Sequence, residues 1–186
     1  MRYGLLAGVV LMAFAPCAAH ADLTGTTVVG QMLVGGGPPN YFDSANGFVP
    51  SGFGNSGNNG TVVIGSGIEF GFQDSANTNT ADFTGTTLTL TDVSSQGSLP
   101  VTFEFTDPAF TSLSLMTNSF PAGLIYSLTG DTITISTPNF LGTSGTFSAE
   151  FGVGTAGAAT PEPGSLALLA TGMLGMGEAV RRRVRV

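Results

Sequence analysis

Lysine and tryptophan are absent from this 186-residue chain, and cysteine and histidine occur once each. The gaps are sharper than the totals suggest. Between Asp22 and Thr160 there is no Lys, Arg, His or Cys. Arg2 precedes that stretch, and Arg181, Arg182, Arg183 and Arg185 follow it. The same stretch carries seven Asp and three Glu, a formal charge of −10. Nucleic-acid affinity comes largely from Lys and Arg displacing counterions, so an acidic surface of this kind excludes nucleic acid as a partner. Without His, Cys or Lys there is no Ser–His, Cys–His or lysine-based nucleophile, and no usual zinc ligand set. Cys17 stands alone, so the middle of the chain has no intramolecular disulfide and depends on its core and strand ladders.

What is present is an acidic middle rich in Gly, Ser, Thr and Asn. Disorder requires low hydrophobicity, whereas Phe, Ile, Leu and Val recur here in alternating runs. Residues 24–34 read as an opening strand, followed by a loop over 35–60 in which Asn46-Gly47 and Asn58-Asn59-Gly60 are turn signals. Ile68, Phe70 and Phe72 then point one way, and Glu69, Gly71 and Gln73 the other. Residues 86–91, 101–106 and 146–151 alternate likewise. Tyr126 and Leu128 are expected to pair with Ile133 and Ile135 across Gly130-Asp131. Short β-branched and aromatic runs, with no helical period and no βαβ spacing, predict an all-β fold. The expected architecture is an antiparallel, jelly-roll-like β-sandwich over 22–153 with a flexible Gly/Ala linker over 154–160.

Candidate chemistry in this domain is thin. Glu69, Glu104 and Glu150 are the carboxylates from which a glycoside-hydrolase pair would be drawn. They stand at polar positions of alternating strands and read as solvated faces, so no catalytic residue is assigned. Asp74, Ser75, Asn77, Thr78 and Asn79, with Asp82 nearby, gather oxygens in one loop, and hard cations prefer oxygen ligands. The spacing is not an EF-hand, since Asn79 occupies the sixth position and Gly85 the twelfth. The loop reads as polar and Asx-rich; no cofactor or metal site is assigned, calcium being the one candidate. Gly65-Ser66-Gly67 is followed by no Lys and is not a phosphate loop. Tyr41, Phe42, Phe48 and Phe53, in a Gly/Asn-rich loop, are the candidate glycan contacts.

The two ends differ from the middle. Met1-Arg2, an apolar run over 5–15 and the small residues Ala19 and Ala21 form a secretory signal peptide over 1–21, with cleavage expected before Asp22. At the other end Pro161-Glu162-Pro163 precedes an apolar stretch over 164–180 and a basic cluster over 181–186. Those seventeen residues would make about 25 Å of helix, the low end of what crosses a bilayer. Arg181, Arg182, Arg183 and Arg185 would hold its end in the cytoplasm as a membrane stop. Glu178 shortens the usable apolar stretch, though near the interface it reaches headgroup water.

This order of Pro-Glu-Pro motif, apolar helix and Arg cluster, behind a secretory leader, resembles the PEP-CTERM sorting signal of Gram-negative bacterial exported proteins. The resemblance covers residues 161–186. It implies recognition of Pro161, Glu162 and Pro163 by an exosortase after signal peptidase has acted at Ala21. It also implies an inner-membrane intermediate, and an end state in the envelope, at the surface or in an extracellular matrix associated with exopolysaccharide and biofilm. The expected function is therefore that of an exported, non-enzymatic envelope or matrix protein. The alternative is a surface-displayed carbohydrate-binding module.

Overall fold

A computed structural model describes residues 22–121 and 123–156. The expected signal peptide, the motif at 161–163, the apolar stretch at 164–180 and the Arg cluster all lie outside these residues. Among the described residues no helix is long and apolar enough to cross a membrane.

The described chain is all-β, with ten strands in chain order: β1 Thr27–Val34, β2 Thr61–Val63, β3 Phe70–Gln73, β4 Asn77–Thr84, β5 Thr87–Ser94, β6 Val101–Thr106, β7 Phe110–Asn118, β8 Ile125–Thr129, β9 Thr132–Thr137 and β10 Gly145–Thr155. They form two five-stranded antiparallel sheets, ordered β2-β1-β6-β9-β8 and β3-β4-β5-β10-β7. Alternation accounts for how the sheets meet. In β6, Val101, Phe103 and Phe105 are buried while Thr102, Glu104 and Thr106 stay half-exposed. In β9, Ile133 and Ile135 turn inward, and in β10 so do Ala149, Phe151 and Val153. Phe105 sits at the centre of an aromatic core, with Phe70 at 5.5 Å and Phe83 edge-on at 5.2 Å between ring centroids. A buried Phe of this kind contributes about 1.5–3 kcal/mol.

The hairpin expected across Gly130-Asp131 is present. Tyr126 lies opposite Ile135 and Leu128 opposite Ile133, and Gly130 takes the turn at φ 62°, a backbone angle that a side chain would oppose. Other boundaries differ from the sequence reading. The opening strand starts at Thr27 because residues before it turn, with Thr26 N–H donating to the Leu23 carbonyl. Gly154 and Thr155, read as the start of the linker, belong to β10, where they lie opposite Ser112 and Phe110 of β7.

The long loop between β1 and β2 is packed rather than free. Asn55, fully buried, donates from Nδ2 to the carbonyls of Phe42 (2.9 Å) and Gly71 (3.1 Å) and accepts from Gly71 N–H at 3.0 Å. Gly54 and Asn55 N–H donate to the carbonyls of Ile68 and Glu69, and Gln73 N–H donates to the Phe48 carbonyl. The loop therefore lies along β3 and covers what would otherwise be a bare sheet edge.

Candidate functional site

The four loop aromatics do not form one binding face. Phe42 is fully buried and stacks on Phe70 at 5.2 Å, so it is a core residue and not a glycan contact. The loop runs back along β3, and its most deeply inserted ring is sealed in the core. Phe53 lies flat over Gly71, whose missing side chain makes room for the ring. It lines a surface hollow of about 470 Å³ with Val62, Val63, Ile68 and Glu69. Tyr41 and Phe48 stay together, 5.4 Å apart, and both pack on Phe72. Of these, Phe48 is the more open at 38% exposure.

The glutamates are also separated. Glu104 and Glu150 alternate with inward residues on β6 and β10, so they stand on the outer faces of different sheets. Packed sheets lie about 10 Å apart, and the two carboxylates point away from each other across both. Glu69 corrects the expectation of a solvated face, being only 2% exposed. Its Oε1 accepts Gly65 N–H and its Oε2 accepts Phe83 N–H, both at 2.8 Å. Burial raises its pKa, and the two backbone donors oppose that shift. The side chain is a structural brace between the β2–β3 connection and the end of β4.

The oxygen-rich loop is likewise rearranged. Asp74 Oδ1 accepts the backbone N–H groups of Ala76 and Asn77 and closes the turn into β4. Asp82 alternates with buried Ala81 and Phe83 and faces outward. Among the described residues no three or more of His, Cys, Asp and Glu come together to hold a metal ion.

A polar site that no motif announces lies on the inner face of β4 and β5. Asn79 is directly opposite Asp92, and Asn77 directly opposite Ser94. Asn79 and Asp92 are each 1% exposed and Ser94 4%. Asn77 Oδ1, both side-chain polar atoms of Asn79, Asp92 Oδ1 and Ser94 Oγ are buried without a hydrogen-bond partner. Phe72 of β3 and Phe147 of β10 flank the Asn79–Asp92 pair. Asn77 and Asn79 line a cavity of about 250 Å³ whose other walls include Met32, Val34, Phe72, Asp74, Ser98 and Val101. Burial, and secondarily the charge of Asp74, pushes the Asp92 carboxyl up to about 6. A signal did exist in the sequence: the period-two inward positions of β5 run Leu88, Leu90, Asp92, Ser94. Polar residues stand where apolar ones are expected.

Compared with family models, curated proteins and solved structures, the chain matches none.

Proposed function

We propose that the chain is an exported, non-enzymatic protein of the cell envelope or extracellular matrix, sorted by an exosortase and associated with exopolysaccharide. The observation that carries this reading is the sequence order at the tail, in which Pro161, Glu162 and Pro163 precede an apolar stretch and then Arg181, Arg182, Arg183 and Arg185. The leader ending at Ala21 gives the tail a matching route of export. The sandwich is compatible cargo, since its acidic middle contains no cation that would hold it on anionic headgroups. The separation of Glu104 from Glu150, with Glu69 engaged by backbone donors, supports reading these three glutamates as structural rather than as a hydrolytic pair.

A second reading, glycan binding at the surface, is favoured by the half-exposed Tyr41–Phe48 pair on Phe72. Phe42 has no part in it. A glycan screen of the exported protein separates this reading from a purely structural role. Sorting is tested by fractionating cells with and without an exosortase. The protein is expected to stay in the inner membrane only where the enzyme is missing. Identical distributions in the two strains would leave a plain membrane anchor.

A further inference from the structure

The buried polar patch on β4 and β5 has the makings of a ligand site, and its chemistry narrows the ligand. Buried polar groups in folded proteins are overwhelmingly satisfied, and leaving one unpartnered is costly. Here the orphaned atoms of the described residues all fall on four residues, two cross-strand pairs side by side. Directly opposed strand positions bring side chains to about 5 Å, so these groups converge rather than scatter. Four of the five atoms are oxygens: a carboxylate, two amide oxygens and a hydroxyl.

The charge of the set selects a cation. Asp92 is the sole carboxylate in the patch, and residues 22–156 contain no Lys, Arg or His that could pair with it. Buried charges are ordinarily paired or coordinate metals. Water would satisfy the hydrogen-bonding capacity of the amides and the hydroxyl, but it would leave the carboxylate uncompensated. All-oxygen donors without sulfur or imidazole suit a hard ion, and calcium tolerates neutral amide and hydroxyl oxygens in an irregular shell of six to eight. Magnesium demands a tighter octahedron and keeps its water.

We propose that Asn77 Oδ1, Asn79 Oδ1, Asp92 Oδ1 and Ser94 Oγ bind one calcium ion between β4 and β5, with water from the adjoining cavity completing its shell. The site differs from the loop reading of the sequence. Asn77 and Asn79 are retained, Asp74 is turned to its own backbone, Asp82 faces away, and Asp92 and Ser94 come from the next strand. The proposal is independent of the sorting reading. With one carboxylate among its ligands, affinity belongs at the weak end of calcium sites, half-saturating at about 0.1–1 mM.

The test is thermal unfolding of the full chain, purified in detergent and stripped with EGTA, as calcium chloride or magnesium chloride is added. For the native sequence the midpoint is expected to rise with the logarithm of calcium concentration above Kd, by on the order of 5–10 °C at a hundredfold excess over Kd, and far less with magnesium. Asp92→Asn should abolish the rise, Ser94→Ala should move half-saturation at least about fivefold higher, and Asp82→Asn should leave it in place. A native midpoint unmoved by about 10 mM calcium would overturn the proposal, leaving water or a protonated Asp92 to satisfy the patch. An undiminished rise in Asp92→Asn would overturn it too, by locating the ion elsewhere. Should Asp92→Asn fail to fold, Ser94→Ala decides, and an unchanged half-saturation there counts against the site.

Discussion

Asp92 concentrates the electrostatic tension of the domain in one side chain. It is 1% exposed, faces Asn79 on one neighbouring strand and Phe147 on the other, and feels Asp74 at the start of the hairpin. Its ordinary value of 3.8 is raised to about 6 in the folded protein. The folded state therefore holds this proton more tightly than the unfolded chain does. The associated stability is complete below the unfolded value and disappears as pH climbs through about 6. In EGTA, the native protein should lose about 1–3 kcal/mol between pH 4 and 7 relative to Asp92→Asn, the lower figure allowing for solvent screening. Urea unfolding of the two proteins at both pH values measures the difference. Parallel pH dependences would show that the carboxyl carries no such strain. The comparison must be a difference because exposed Asp22, lowered by its Thr24 donors, titrates in the opposite sense, and Glu69, raised by burial, in the same one.

At the scale of strands and turns, Glu69 is the brace whose removal should be felt most. It joins Gly65, in the β2–β3 connection, to Phe83, near the end of β4. Glu69→Ala leaves two backbone N–H groups without their acceptor and should cost about 2–4 kcal/mol in chemical denaturation. A loss below about 0.5 kcal/mol would mean that water replaces the carboxylate freely. Elements of this size were legible in the sequence where alternation was clean. Residues 101–106 coincide with β6, and the Tyr126–Ile135 and Leu128–Ile133 pairs lie in the expected register. Legibility failed where a residue's environment is set by a distant segment. Phe42 looked like a loop aromatic because nothing local says that the chain folds it onto Phe70. Glu69 read as a solvent-facing acid because its donors lie four and fourteen residues away. The β4–β5 patch is hidden because the apolar alternation of β5 ends before Asp92 and Ser94, and their pairing with Asn79 and Asn77 is a property of the register.

Taken whole, the chain separates its charges. A sandwich of −10 formal charge carries no base between residues 22 and 160, and every base of the chain lies in the two flanking segments. Strand order, with β3-β4-β5 a meander and β8-β9 a hairpin but β6 set between β1 and β9 and β10 between β5 and β7, depends on crossovers that no periodicity reports. The order of the flanking segments is, by contrast, written directly in the residues. If both flanks are processing signals, as proposed, intact-mass spectrometry of the protein from exosortase-bearing cells should find a polypeptide that begins at Asp22 and lacks Arg181 through Arg185. A mass equal to that of all 186 residues, leader and arginines included, would contradict it.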